Sequence, residues 1–160
     1  MTYMDFAFVF GGIMGEANPD IVWRTMGSRA CLKFTFKGYL TDEDAQRAIL
    51  EWRRAFHSMQ NESICVVWDC LDMEGYSHKA RSEWTHALHD MKDQIRTIWV
   101  VTKSPIVKMG ATVMGMFSGI NIHIVKSEEE IHKIFTPPPS PFLQEPPRND
   151  PPEKFRSFWD

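Results

Sequence analysis

The stretch Ser63-Ile-Cys-Val-Val-Trp-Asp69 decides the fold of this chain, because it is an apolar run with a polar residue at each end. A run of this length predicts a strand that is buried on both faces of a parallel sheet. Asp69 is then expected at the carboxyl end of the strand, and Cys70 to Ser77 are expected to form a loop. Ligands and partners of open α/β sheets bind at that edge, so this loop is the first candidate site.

The composition indicates one globular domain in a reducing compartment. The chain has 160 residues, of which 43% are hydrophobic, and this suffices for one core but not for two. The net charge of -3, without a long block of Lys or Arg, gives no reason to expect nucleic acid or an anionic membrane as a partner. Three cysteines, Cys31, Cys65 and Cys70, cannot all pair with one another. We therefore expect a cytoplasmic protein.

The segment before the apolar strand predicts a β-hairpin followed by a helix. Asp20–Met26 and Ala30–Lys37 are β-prone runs, and Gly27-Ser28-Arg29 joins them. Thr41 is followed by three acidic residues, which predicts an N-cap and the first turn of a helix. This helix should end near Gln60-Asn61.

The segment after the apolar strand predicts alternating helices and strands. Ser77 is the expected N-cap of a second helix, whose apolar stripe consists of Ala80, Trp84, Ala87, Leu88 and Met91. Arg96–Thr102 is a second buried strand, and Ser104-Pro105 begins a third helix. Ile120–Ile124 alternates as a half-buried outer strand does, and Ser127–Glu130 is a capping box that opens a short last helix.

Composition divides the chain into an arm, residues 1–19, a domain, residues 20–135, and a tail, residues 136–160. The arm contains the apolar stretch Phe6–Gly15, which no Lys or Arg precedes and which is too short to span a bilayer. We interpret it as a loose arm or a short extra strand, and we expect no integral membrane segment. Eight of the ten prolines lie in Pro137–Pro152, which predicts a tail outside the core.

The order of the elements leaves few ways to wind a small α/β domain. Residues Ala30 to Phe135 resemble the STAS domain, the fold of anti-sigma-factor antagonists, and more closely its divergent bacterial branch that is linked to Sec14-like lipid-binding domains. The segments that carry the resemblance are Gly38-Tyr-Leu40, the strand ending in Asp69, Ile98-Trp-Val-Val101, Ser104-Pro105 and Val125-Lys-Ser-Glu-Glu-Glu130. The resemblance implies an α/β fold with a mixed, mainly parallel central sheet of about five strands and about four helices.

The resemblance also implies a non-enzymatic regulatory domain that acts by binding a protein. Signalling members of the family carry a hydroxyl at a helix start, and its phosphorylation breaks binding to a partner kinase. The matching segment here is Gly75–Lys79, but no Asp precedes Ser77 and no Gly follows it. Ser77 is therefore either a regulatory hydroxyl or only a helix cap. The candidate interaction residues are Asp69, Asp72, Tyr76, Ser77 and His78.

The third helix, expected to end near Phe117, is apolar on more than one side. Its candidate ligand or partner face consists of Met109, Val113, Met114 and Phe117. Such a face could pack on a twin subunit in a homodimer, accept a partner helix, or line a pocket for an apolar ligand. The kinship with Sec14-like domains implies a lipid as that ligand. Alternatively, the sheet, the last helix and the N-terminal arm bury this face entirely.

Sequence motifs for catalysis and for cofactors are not found. Cys70 and Ser77 are the nucleophiles near the expected sheet edge, but no Gly-x-Ser-x-Gly elbow, phosphate-binding loop or dinucleotide fingerprint accompanies them. Glu83, His86 and Asp90 share one face of the second helix, and a charged face in water explains them better than a metal site does. We expect no catalytic residues, no metal and no cofactor.

Overall fold

The fold is an α/β sandwich built on one five-stranded sheet. The computed structural model of the protein describes residues 17–60, 62–138 and 140. The strands are β1 (Asp20–Met26), β2 (Arg29–Leu40), β3 (Ile64–Tyr76), β4 (Ile95–Val101) and β5 (Ile122–Val125). The helices are α1 (Asp42–His57), α2 (His78–Met91), α3 (Pro105–Ser118) and α4 (Glu128–Phe135), and a 3-10 turn, Lys92–Gln94, follows α2.

The strands lie in the sheet in their chain order, from β1 to β5. β1 pairs antiparallel with β2 through the predicted hairpin, and the three remaining pairs are parallel. The predicted mixed, mainly parallel sheet with four helices is therefore confirmed. The helix after each parallel strand returns the chain to the same end of the sheet, as parallel pairing requires.

Two hydrophobic clusters cover opposite faces of the sheet, because successive side chains of a strand point to opposite sides. Along β3, Val66, Trp68 and Cys70 belong to the larger cluster, whereas Cys65 and Val67 belong to the smaller one. Helices α1, α2 and α3 cover the larger cluster, and α4 covers the smaller one. The centre of the larger cluster is a group of aromatic rings with centroids 5.3 to 6.4 Å apart: Phe34, Phe36, Trp52, Trp68 and Trp84.

The predicted caps of the first three helices are confirmed. Thr41 and Asp44 form a capping box at α1, and the hydroxyls of Ser77 and Ser104 accept hydrogen bonds from the first turns of α2 and α3. The predicted capping box at Ser127 is wrong, because the Ser127 hydroxyl makes no such bond. The Glu130 carboxylate accepts instead from the backbone N–H of Lys126, at 3.3 Å.

The stretch that was expected to be a loop is a continuation of β3. Where Asp69 was expected to end the strand, β3 runs on to Tyr76, and β2 runs to Leu40 beside it through two irregularities in register. β4 ends at Val101, opposite Asp69, so that this extension has β2 as its sheet neighbour. Polar residues and a glycine are tolerated there because the extension borders water. Polar residues and glycine are also typical of loops, and for this reason the sequence predicted a loop here.

The tip of the β1–β2 hairpin contacts the end of α4. Gly27 has a φ of 59°, the left-handed conformation that a tight two-residue turn requires. The Ser28 hydroxyl donates to the carbonyl of Phe135 at 2.9 Å, and the Arg29 guanidinium lies 5.4 Å from the centroid of the Phe135 ring. These contacts connect α4 to the antiparallel edge of the sheet.

Most of the predicted arm and tail lie outside the described residues, as does the apolar stretch Phe6–Gly15. The last residues of the arm contact the domain. The Asn18 side chain accepts from the Lys37 N–H at 3.0 Å, and the Asn18 carbonyl accepts from Arg47 at 2.7 Å. Among the residues that the structure describes, no helix combines the length and the apolar character needed to cross a membrane.

Candidate functional site

Ser77 connects the end of β3 to the start of α2. Its N–H donates to the carbonyl of Leu40 at 3.1 Å, which closes the ladder between β2 and β3. Its hydroxyl oxygen accepts from the N–H of Ala80 at 3.0 Å, and its hydroxyl proton is donated to the carboxylate of Asp42. The side chain is half-buried. These three hydrogen bonds all stabilise the fold, as expected of a helix cap.

Sequence analysis did not identify Asp42 as part of this site. Asp42 was expected only as an acidic residue in the first turn of α1, where its negative charge interacts favourably with the positive end of the helix dipole. β2 and β3 are parallel, and Leu40 pairs with Tyr76, so the helices that follow the two strands begin side by side. That pairing brings the Asp42 carboxylate to Ser77. A correct prediction of the β2–β3 register would have placed Asp42 next to Ser77.

Asp69, another candidate interaction residue, lies away from Ser77. Asp69 lies in β3 at a position that shares a face with Cys65 and Val67, and its carboxylate is 3.6 Å from the Lys33 ammonium group. Lys33 also forms an ion pair with Glu128 of α4. Asp69 therefore belongs to the α4 side of the sheet, where these charges hold the N-terminus of α4.

The remaining candidates border the junction of β3 and α2. Asp72 and His78 are exposed, whereas Tyr76 is half-buried and points towards α3. A Cβ atom at Gly110 would lie 2.5 Å from the Tyr76 hydroxyl oxygen, so the close approach of Tyr76 to α3 requires a glycine at this position. Tyr76 thus connects the junction to α3, which the sequence did not predict.

A narrow cleft lies between α2, α3 and the extension of β3. Its volume is about 40 Å³, which is enough for a few water molecules but much less than a lipid occupies. Its walls are almost entirely apolar and include Cys70, Met73, Tyr76, Trp84, Val107 and Met114. Arg81 is the charged residue among the lining side chains, and its guanidinium has no hydrogen-bond or ion-pair partner within the described ranges. Of the predicted apolar face, only Met114 lines this cleft.

The other residues of the predicted apolar face of α3 are exposed. Neither the sheet nor α4 covers them, and residues 1–16, the third element named as a cover, lie outside the described part of the chain. The exposed apolar side chains of α3, with their exposed fractions, are Ile106 (62%), Met109 (64%), Val113 (38%), Met116 (79%) and Phe117 (79%). We call these five side chains the α3 face. Lys108 is the one charged residue of the helix.

The candidate nucleophile Cys70 is buried, with 4% of its surface exposed. Burial raises the pKa of its thiol above the ordinary value, and the neighbouring Asp69 charge acts in the same direction. The nucleophilic thiolate is therefore disfavoured. Cys31 and Cys65 pair across β2 and β3, and the hydrogen bond between their thiols lowers the pKa of Cys31 and raises that of Cys65.

Two of the three residues considered as metal ligands on α2, Glu83 and Asp90, interact with α1 instead. Glu83 accepts from Gln46 at 3.3 Å. Asp90 accepts from Arg53 at 2.9 Å, and this hydrogen bond lowers the pKa of the Asp90 carboxyl. No group of three or more His, Cys, Asp or Glu side chains in the described residues is arranged to hold a metal ion.

Comparison with known proteins identifies the fold. No family model and no curated protein matches the chain. Among solved structures, the chain is similar to an uncharacterised protein of the DUF3478 family with a SpoIIAA-like fold from Shewanella loihica PV-4. The TM-score is 0.64 at 14% sequence identity, and the match covers 78% of this chain and 99% of that one. The chain therefore has the SpoIIAA-like fold, which is the fold of STAS domains, and the fold that the sequence resemblance predicted is confirmed.

Proposed function

We propose that this chain is a non-enzymatic, cytoplasmic STAS-like domain that acts by binding another protein through the α3 face. The observation that carries the proposal is the exposure of five apolar side chains on one helix with a single charged residue. Folded monomers rarely leave a contiguous apolar patch of this kind in water, and such patches mark contact surfaces. Met and Phe, which supply three of the five side chains, are enriched where proteins associate.

The junction of β3 and α2 forms the border of this surface. Tyr76 lies against Gly110 of α3, so a change at Ser77, the next residue, is transmitted to α3 through a direct contact. Asp72 and His78 are exposed, and we include them as residues of the polar rim that protein interfaces usually have. We assign to these residues a role in orienting the partner.

The non-enzymatic part of the proposal is supported by the state of the two candidate nucleophiles. Cys70 is buried beneath the cleft as a neutral thiol. The Ser77 hydroxyl donates to a carboxylate and accepts from the first turn of α2, so its polar contacts serve the fold. The half-buried Ser77 oxygen already accepts a hydrogen bond from Ala80, which leaves it poorly placed to attack a substrate.

Partner capture with matched variants tests the proposal. Phe117→Glu places a charge on the α3 face at an exposed site, and Lys108→Glu changes charge on the same helix outside that face. We expect a protein from the source cells to be retained by the wild type and by Lys108→Glu but lost by Phe117→Glu, and to form a complex of defined stoichiometry from purified components. If Phe117→Glu retains every partner of the wild type, the α3 face is not the contact surface.

A second candidate function, binding of an amphiphilic small molecule, is favoured by one specific observation. The cleft combines apolar walls with a guanidinium at Arg81 that has no partner within the described ranges. An apolar tail in the cleft and an anionic head group on Arg81 would satisfy both features. Because the cleft volume is about 40 Å³, such a ligand has to displace Met114 or Tyr76 to enter.

Mass spectrometry distinguishes this second function from the first. We would record native and denaturing spectra of the untagged protein purified from its own cells. A non-covalent adduct that is lost on denaturation, is absent from Met114→Trp, in which a larger side chain fills the cleft, and is weakened in Arg81→Gln would support a ligand. A bare chain in all three proteins would exclude it. Circular dichroism has to show that the variants fold.

A further inference from the structure

The α3 face has the spacing of a helix–helix seam. Ile106, Met109, Val113 and Met116 follow one another at i, i+3, i+7 and i+10, the alternating three- and four-residue steps of a heptad pattern. All four side chains are exposed. The side chains that attach α3 to its own domain lie on a different side of the helix and include Val107, Ala111 and Ser118. Among the residues that the structure describes, none covers the seam, which leaves it available to a second helix that packs along it.

We infer that this second helix is α3 of another copy of the chain, in an antiparallel pair around a twofold axis. This inference rests on the proposed function, since it names the partner of the same surface. If the axis passes midway between Met109 and Val113, Met109 faces Val113 of the second copy and Ile106 faces Met116 of the second copy. Each layer then combines a large flexible methionine with a β-branched residue, which allows the two rows to interdigitate.

The ends of the helix match the same axis. Phe117, which flanks the seam, would lie over Pro105 of the second copy, so the one aromatic ring of the α3 face gains an apolar neighbour. α3 is about 21 Å long at 1.5 Å per residue, and Gly119, with a φ of 71°, ends it immediately after Ser118. The two helices therefore end together.

The charge pattern permits a second copy as the partner. In an isologous pair, a residue near the twofold axis faces the same residue of the second copy. A charged residue there would be repelled by its counterpart. The seam of α3 contains none, and Lys108 lies outside it. A twofold contact also closes, because both copies use their whole seam and leave none for a third copy.

Charge complementation tests the inference with the full chain. Ile106→Glu and Met116→Lys each change an exposed residue, and the twofold axis places the two altered positions opposite each other in a mixed pair. By sedimentation, we expect the wild type and the control Lys108→Glu at twice the chain mass of 18.6 kDa and each seam variant at the single mass. An equimolar mixture of the two seam variants should return to the double mass. Circular dichroism verifies that all four proteins are folded.

Other outcomes overturn the inference in distinguishable ways. A wild type that stays at the single mass throughout the micromolar range overturns it, and if that monomer still loses a partner on Phe117→Glu, the proposed function survives without the dimer. A wild-type dimer that neither seam variant dissociates uses another surface. Seam variants that dissociate but do not recombine overturn the antiparallel arrangement. If the full chain is a monomer and dimerises only after removal of residues 1–16, the inference is wrong, because that segment then occupies the α3 face in the full chain.

Discussion

The hydroxyl of Ser77 donates a hydrogen bond to the carboxylate of Asp42, and this bond joins the N-termini of α1 and α2. The two residues are 35 positions apart in the chain. The carboxylate lies near the positive ends of two helix dipoles, where a negative charge is favoured. One side-chain contact thus fixes the relative position of two helices on the larger hydrophobic cluster.

Substitution of Ser77 should distinguish loss of the cap from charge repulsion. Ser77→Ala removes the cap and should lower the free energy of unfolding by about 1 kcal/mol. Aspartate caps a helix as well as serine does, but at this position it places a second carboxylate against Asp42. We therefore expect Ser77→Asp to cost roughly 1–2 kcal/mol, more at low salt, in urea unfolding.

The control for this prediction is Asp42→Asn, which removes one of the two charges. In combination with Ser77→Asp, it should restore most of the lost stability. The same repulsion would act on a phosphate at Ser77, so a phosphorylated chain should show the same salt-dependent destabilisation. A Ser77→Asp variant as stable as the wild type at low salt would contradict this account of the junction.

The contact between Tyr76 and Gly110 predicts a coupled pair of substitutions. Alanine in place of a helical glycine normally stabilises by about 1 kcal/mol. Here the added Cβ would lie 2.5 Å from the Tyr76 hydroxyl oxygen, so Gly110→Ala should displace that ring and lose most of the gain. In a Tyr76→Phe background the gain should appear. Urea unfolding of the four proteins measures the coupling, and additive effects would mean that Tyr76 does not restrict α3.

The hairpin tip should be sensitive to Gly27→Ala. Gly27 and Gly38 have nearly equal positive φ angles, 59° and 61°, but a Cβ at Gly27 would lie 2.8 Å from the Phe135 backbone carbon, whereas a Cβ at Gly38 would meet nothing within 4 Å. Gly38→Ala should therefore cost only the backbone strain, about 1–2 kcal/mol. Gly27→Ala should cost roughly 1–3 kcal/mol more, because the hairpin must move away from α4.

Equal losses for the two glycine variants would show that the hairpin tip does not depend on α4. Amide hydrogen exchange of α4 provides a second measurement. In Gly27→Ala, but not in Gly38→Ala, the amides of α4 should exchange faster, since the Ser28 and Arg29 contacts to Phe135 are lost.

The three thiols should be inert in the native protein. Cys31, Cys65 and Cys70 have 0%, 3% and 4% of their surface exposed. Burial also raises the pKa of the Cys70 thiol, so the reactive thiolate is scarce at neutral pH. An aromatic disulfide reagent should label none of them in buffer and all three in urea. Rapid labelling of one thiol in buffer would indicate a local opening of the sheet or of the cleft.

Features of the chain that depend on neighbours in sequence could be predicted. The caps at Thr41, Ser77 and Ser104 were predicted correctly because a cap is chemistry between residues three positions apart. The five residues predicted for the stripe of α2 are the five buried residues of that helix, because helical periodicity decides which face is apolar. Ser127 shows the limit of this reasoning, since Glu130 binds the backbone one residue earlier than the capping-box pattern predicts.

The sequence by itself determined the order of the strands and helices, because periodicity and capping residues act on short segments. The mixed sheet was predicted through the resemblance to STAS domains. Only the tertiary structure decided the extension of β3 to Tyr76, the contact of Ser77 with Asp42 and the exposure of the α3 face. The extension depends on pairing with β2, whose residues lie more than 30 positions earlier. The exposure of α3 depends on which of its two apolar sides packs on the sheet. The sequence pattern cannot decide this, because apolar residues recur at the same helical spacing whether they contact the core or another molecule.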